Sequence, residues 1–161
     1  MLGADTGLRL LTSSSKAEEM PSSTKPLSKT QYETLAAFRY ALRRFLHFSE
    51  NAAHAAGLTP QQHQALLAIK GFPGRDRVTV GELAERLQLR HHSTVGLVDR
   101  LAAEQYVLRV RSEQDRRQVF VQLTARGEAI LAQLSAAHSR QLKQIGPELN
   151  RLLQQLAEQS P

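Results

Sequence analysis

The chain has 161 residues, with 21 Lys and Arg against 15 Asp and Glu, a formal net charge of +6, and enough hydrophobic residues (41%) for a core. This suits one compact domain, or one domain with a tail, and a basic balance favours polyanions such as nucleic acid. The absence of cysteine excludes disulfides, thiolate metal ligands and thiol-based redox sensing. No apolar run approaches the ~20 residues of a bilayer span, and Met1–Leu11 lacks the basic start of a signal peptide. A cytoplasmic, nucleoid-associated protein with no membrane partner is therefore expected.

Residues 1–29 are rich in Ser, Thr, Lys and Pro and show no apolar periodicity, so a disordered tail is expected there, with Met20 an alternative start. From Gln31 the pattern changes. Leu35, Phe38, Leu42, Phe45 and Leu46 recur at three- and four-residue steps, predicting a helix that ends near Gly57. Thr59-Pro60-Gln61-Gln62 and Thr79-Val80-Gly81-Glu82 are capping boxes, each opening a helix, the first ending near Gly71 and the second running through Leu83 and Leu87. Thr124 is placed to cap a long helix through Ile130, Leu131, Leu134, Leu142 and Ile145. Gly146-Pro147 is expected to interrupt it before a last amphipathic helix through Leu149, Leu152, Leu153 and Leu156.

The stretch between the second capping box and Thr124 carries the functional signal. From Arg86 to Arg126 there are eight arginines, no lysine and four acids, and arginine suits phosphate and guanine contacts. On a helical wheel of residues 91–104, Thr94, Val95, Val98, Leu101 and Ala102 gather on one side with Leu97 at its edge. His92, Ser93, Gly96, Asp99, Arg100 and Ala103 gather on the other. Tyr106–Arg111 and Gln118–Leu123 alternate with a period of two around a charged connection, Ser112–Arg117, and so form a hairpin. Helix, strand, charged turn and strand are the parts of a winged helix-turn-helix. The expected fold class is mostly α (α+β), with long N- and C-terminal helices and a two-stranded β wing.

Recognition helices read bases with their N-terminal residues. Arg90, His91, His92, Ser93, Thr94, Gly96 and Arg100 are accordingly the recognition-helix residues, with His92, Ser93 and Gly96 nearest bases and Arg100 placed for a phosphate. Gly96, lacking a side chain, would let the helix sit deep in the groove. Arg111, Asp115, Arg116 and Arg117 are the wing residues. A tip arginine in a narrow minor groove responds to its enhanced negative potential. Asp115 would be repelled by phosphate and is expected to pair with an arginine and fix the wing.

Leu97-Val98-Asp99-Arg100-Leu101, Tyr106-Val107, Asp115-Arg116-Arg117 and Leu123-Thr124-Ala125-Arg126-Gly127 together resemble the multiple-antibiotic-resistance regulator (MarR) family. Leu58-Thr59-Pro60-Gln61-Gln62 is similar to that family's second helix. The resemblance covers about residues 31–160 and implies a domain spanning 30–160, with wing and recognition helix in 78–124 and dimerisation helices in 31–56 and 125–159. It also implies a homodimeric repressor of a pseudo-palindromic double-stranded DNA operator. It assigns Asp115 as a structural acid and Arg117 as a minor-groove arginine. Two departures stand out: Val95-Gly96 replaces a Thr-Arg common in the family, and Arg90 stands where relatives often have a capping Ser or Asp. The resemblance further implies a small aromatic or anionic effector between the dimerisation helices and the DNA-binding lobe, where Phe45, His63, Phe72 and Arg86 are the candidates.

Six histidines invite a metal reading, yet none shows the H-x-x-x-H spacing of a helical zinc pair. There is no nucleophile elbow and no glycine-rich phosphate loop. No metal, no cofactor and no enzymatic activity are expected. The alternative to a specific regulator is an architectural or protein-interaction module that binds DNA without sequence preference.

Overall fold

A computed structural model describes residues 26–112, 115 and 118–158; of the expected tail (1–29), residues 1–25 lie outside the described residues and Lys29 already belongs to the first helix. The elements run α1 (Lys29–Ala55), α2 (Pro60–Lys70), β1 (Arg77–Thr79), α3 (Val80–Leu87), α4 (His91–Ala103), β2 (Val107–Arg111), β3 (Val119–Leu123) and α5 (Ala125–Glu158). Helix α1 begins two residues ahead of the apolar pattern because Ser28 caps it. Ser28 Oγ accepts from the Gln31 amide at 3.2 Å, and the Gln31 side chain accepts from the Ser28 amide at 2.8 Å. The same reciprocal box forms at Thr59 with Gln62 and at Thr79 with Glu82. Thr124 Oγ1 accepts from the Gly127 amide at 3.1 Å, opening α5.

The core lies between α2, α3, α4 and the sheet. Leu58, Leu66, Ile69, Val78, Leu83, Leu97, Val98, Leu101 and Val121 are its largest fully buried apolar side chains. At roughly 1.5–3 kcal/mol for each buried Val, Leu or Ile, this cluster dominates the stability of the lobe. Leu97, placed at the edge by the helical wheel, is fully buried.

The hairpin β2–β3 forms as expected, with Val107 opposite Leu123, Arg109 opposite Val121 and Arg111 opposite Val119. A third strand joins it. The sheet order is β1-β3-β2, and β1 pairs antiparallel to β3 with Val78 against Val121. Three residues cannot display a period of two, so β1 is recognisable only by its partner. A lone hairpin is marginal in water; β1 and the helices beneath it give this one its support.

Helix α5 corrects the expected break at Gly146-Pro147. It runs unbroken for 34 residues with Pro147 inside it. A helix-interior proline costs about 3 kcal/mol through a lost hydrogen bond and a clash with the preceding turn. Ile145 and Leu152, on either side, are both buried, and two such residues offset that cost.

A candidate nucleic-acid interface and an adjoining cavity

Helices α3 and α4 meet through Gln88-Leu89-Arg90, with Gln88 left-handed at φ 53°. The reversal lets the Leu89 amide donate to the Ala84 carbonyl at 2.9 Å. It brings out the first turn of α4, where Arg90, His91, His92 and Ser93 are exposed, as are Asp99 and Arg100 on the same side. Arg90 is the N-cap and makes no side-chain capping bond. The free amides and positive end of the helix therefore join the arginine in facing solvent. Thr94 corrects the sequence-based list: it is fully buried, and its hydroxyl donates to the Arg90 carbonyl at 3.2 Å. Its side chain supports the helix start and is unavailable to DNA.

Gly96 is half-buried, and a Cβ there would meet Arg100 Nη1 at 3.6 Å, an ordinary contact. Its neighbours therefore do not require glycine. The acid on this face is answered from the wing, because Arg109 of β2 donates to Asp99 Oδ1 at 2.7 Å. That pair was not foreseen, since it joins two elements ten residues apart whose facing depends on the hairpin's lean.

Arg111, at the end of β2, is exposed. Beyond it the turn closes through backbone bonds. The Ser112 amide donates to the Gln118 carbonyl at 2.9 Å, and the Gln118 amide donates to the Asp115 carbonyl at 2.9 Å. The Asp115 amide in turn donates to Ser112 Oγ at 3.2 Å. Asp115 thus closes the turn through its main chain. Arg116 and Arg117, the expected minor-groove arginines, lie outside the described residues.

The wing's root is tied to α3 by alternating guanidinium and phenyl groups. Arg86 and Arg75 each lie 4.7 Å from the centre of the Phe72 ring. Phe120 of β3 takes Arg75 at 5.3 Å and Arg77 at 4.7 Å. Phe120 is consequently buried, although it alternates with the inward valines of its strand. Arg75 also pairs with Glu82, the capping residue of α3. Partial burial pushes the Glu82 carboxyl upward, but hydrogen bonds from Thr79 and the Arg75 charge outweigh it and hold the group below its usual range.

The motif Leu123-Thr124-Ala125-Arg126-Gly127 locks α5 against the turn after α4. Thr124 Oγ1 donates to the Gln105 carbonyl at 2.6 Å, with the Tyr106 carbonyl 3.2 Å away. At Gly127 a Cβ would overlap the Tyr106 carbonyl oxygen. The glycine is therefore a requirement of close backbone approach.

The four effector candidates do not share one site. Phe45 and His63 line a cavity of about 360 Å³, whereas Phe72 and Arg86 line a separate cleft of about 510 Å³ with Glu82 and Glu85. The first cavity joins the long helices to the lobe of α2, α3, α4 and the sheet. Helix α1 supplies Phe45, Leu46 and Ser49, α2 supplies His63, Gln64 and Leu67, and α5 supplies Ser135, His138, Ser139 and Leu142. Its volume falls in the range of small-molecule sites. His138 was missed in the sequence. It stacks on His63 with ring centres 4.8 Å apart, across 75 residues of chain, a proximity that only α5's path against α1 and α2 creates. Burial first, and then the charge of His138, lower the His63 pKa from its usual 6.5. Among the described residues no group of three or more His, Asp or Glu could hold a metal, and no helix is long and apolar enough to cross a membrane.

The MarR family model matches residues 56–118, from the end of α1 into the wing. The chain is 29% identical over 97 residues to the transcriptional repressor YetL of Bacillus subtilis, covering 60% of this chain and 57% of that protein. It is 32% identical over 92 residues to the transcriptional activatory protein BadR of Rhodopseudomonas palustris, covering 56% and 53%. It thus spans little more than half the length of these relatives. Among solved structures, a MarR family protein from Bacillus stearothermophilus superposes with a TM-score of 0.68 at 25% identity, over 83% of this chain and 97% of that one. A variant of MepR from S. aureus bound to an oligodeoxyribonucleotide gives 0.60 at 18%, over 78% and 97%. NadR in complex with 4-hydroxyphenylacetate gives 0.62 at 22%, over 86% and 93%. With its helix-turn-helix, its wing and its Leu-Thr-x-x-Gly lock, the chain resembles the MarR family, whose model matches residues 56–118.

Proposed function

We propose that this protein is a sequence-specific DNA-binding transcriptional regulator, working as a homodimer on a pseudo-palindromic operator and relieved by a small aromatic or anionic effector. The observation that carries the reading is the face of α4: a helix start with free amides, Arg90, His91, His92, Ser93 and Arg100 exposed, and its one acid neutralised by Arg109. In this reading α4 enters a major groove, His92 and Ser93 reach base edges, Arg100 meets a phosphate, and the wing arginines enter the adjacent minor groove. The oligonucleotide bound to MepR supports duplex DNA as the partner. A repressor role follows the name of YetL, although BadR is named for activation.

Dimerisation is inferred from exposed leucines. Leu35, Leu42 and Leu46 share one face of α1 at helical spacing, and Leu142 and Leu153 are exposed on α5. A second copy would cover them and set two α4 helices on successive turns of DNA. The 4-hydroxyphenylacetate bound to NadR supports a small aromatic effector, and the volume of the cavity between α1, α2 and α5 makes it the candidate site. An effector acts there only by binding one spacing of the two α4 helices better than another. Action at the nucleoid, and hence in the cytoplasm, belongs to the same proposal.

Selection from random duplexes at physiological salt tests this reading. A two-fold motif with half-sites about one helical turn apart is expected. Enrichment of no motif, with affinity that depends on salt alone, would replace the regulator by an architectural DNA-binding module.

A further inference from the structure

The cavity at the junction of α1, α2 and α5 holds ionisable groups that the DNA-reading surface does not use. Its lining comprises two imidazoles, three hydroxyls, the Gln64 carboxamide and apolar side chains, with no Asp, Glu, Lys, Arg or Tyr among the described lining residues. The Leu134 carbonyl can only accept, so His138 Nδ1, 2.6 Å away, carries a hydrogen in every charge state. His138 Nε2 lies 2.8 Å from Ser49 Oγ, accepting from the hydroxyl when the ring is neutral and donating to it when the ring is charged. His63 is 4% exposed and stacks on His138 at an interplanar angle of 27°. From α1, Phe45 and Phe48 close on His138 edge-on and Ser49 bonds it; α2 and α5 present an imidazole to each other. Around the two rings lie phenyl edges, the Ser49 hydroxyl, the Leu134 carbonyl and the lining amide of Gln64, so a proton on either ring has no carboxylate of the lining to meet it.

We propose that the His63–His138 pair makes this cavity a proton-linked receptor for a planar aromatic carboxylate, the anion settling against the imidazoles while one of them takes up a proton from solvent. The proposal rests on the effector reading above and adds its chemistry. A carboxylate held in an apolar cavity without a counter-charge is costly, and the imidazoles are the lining groups that can become cations near neutral pH. The net reaction is ligand anion plus one proton to a neutral bound pair; one N–H bond forms on an imidazole as a bond to hydrogen breaks in hydronium or the buffer acid.

The sign follows from burial. Burial first, and then the charge of His138, hold His63 below its usual range in the empty cavity. A bound carboxylate favours the charged ring, so the titration of His63 moves upward on binding. Between its free and bound titration points, affinity falls as pH rises. Because α2 belongs to the DNA-reading lobe and α5 to the long helical pair, seating this complex at their junction couples acidity to operator release.

Calorimetric titration of the full chain with 4-hydroxyphenylacetate, in two buffers of different ionisation enthalpy from pH 6.5 to 8, tests the proposal. Kd is expected to rise by about tenfold per pH unit within the linked window, with uptake of nearly one proton. The uncharged 4-hydroxyphenylacetamide is expected to bind without proton uptake and without pH dependence. His63→Gln and His138→Gln, checked for folding by circular dichroism, are each expected to reduce uptake and to weaken the acid more than the amide. Acid binding at constant affinity with no proton uptake would overturn the linkage and leave the effector site standing. Unchanged uptake in both variants would overturn the role of the pair. Failure of either probe to bind, with the operator still bound, would overturn the linkage and the effector reading together.

Discussion

The lobe from Leu58 to Leu123 and the pair of long helices, α1 and α5, solve the burial problem differently. The lobe fully buries Leu58, Leu66, Ile69, Val78, Leu83, Leu97, Val98, Leu101 and Val121, with Leu67 and Leu108 left exposed. The helical pair buries Ala41, Ile145 and Leu152 but leaves Leu35, Leu42, Leu46, Leu142 and Leu153 in water. The first is a closed core; the second leaves an apolar face open to solvent. The His63–His138 cavity lies where the two meet, so a small molecule there touches both without disrupting the core of either.

The largest expected effect breaks the lock between the regions. Gly127→Ala forces a methyl group onto the Tyr106 carbonyl and is expected to destabilise the fold by about 3 kcal/mol, at the upper end of overpacking costs. Urea unfolding that shows a loss below about 0.5 kcal/mol would mean that the junction relaxes freely. Next, Leu35→Glu with Leu42→Glu places charges on the open face of α1. A shift from dimer to monomer at micromolar concentration in sedimentation is expected, with thermal stability of the lobe little changed. A persistent dimer would move the interface elsewhere.

Within the lobe, Arg109→Ala leaves Asp99 uncompensated on the reading face. The exposed pair contributes under about 1 kcal/mol to folding, so stability should hold while DNA affinity drops by about tenfold at low salt. Adding Asp99→Asn should restore most of that loss, and no recovery would show that Arg109 touches DNA itself. Arg90→Ser supplies the missing cap and is expected to stabilise the protein by about 1 kcal/mol, while operator affinity weakens and its salt dependence flattens as a cation is lost. Unchanged affinity would remove Arg90 from the interface.

The smallest effect is a pH dependence of stability. His63 titrates lower in the folded chain than its usual 6.5 because it is buried beside His138. As pH falls below 6.5 the unfolded state takes up the proton first, so stability declines down to the folded-state pKa and is flat above the window. His63→Gln should remove this slope in acid unfolding curves, and an unaltered slope would assign it to another group.

How much was legible follows from distance along the chain. Capping boxes at Thr59 and Thr79, the Thr124 cap and the sidedness of α4 involve residues within four positions of each other, and each appears in the structure. Thr94 shows the limit of proximity to a motif: it lies among the reading residues in sequence, yet the helical wheel and the structure both turn it inward. The Asp99–Arg109 pair, β1's place beside β3 and the covering of Phe120 by Arg75 and Arg77 depend on how separate elements lean together. So does the division of Phe45 and His63 from Phe72 and Arg86.

By itself the sequence determined the capped helix starts at Thr59, Thr79 and Thr124, the sidedness of α4 and the β2–β3 hairpin, because local hydrogen bonding and period suffice for these. Tertiary structure alone decided that α5 continues through Pro147, since burial of Ile145 and Leu152 outweighs the local penalty. It alone decided that His63 meets His138, because two imidazoles 75 residues apart share an environment only after three helices have packed around them.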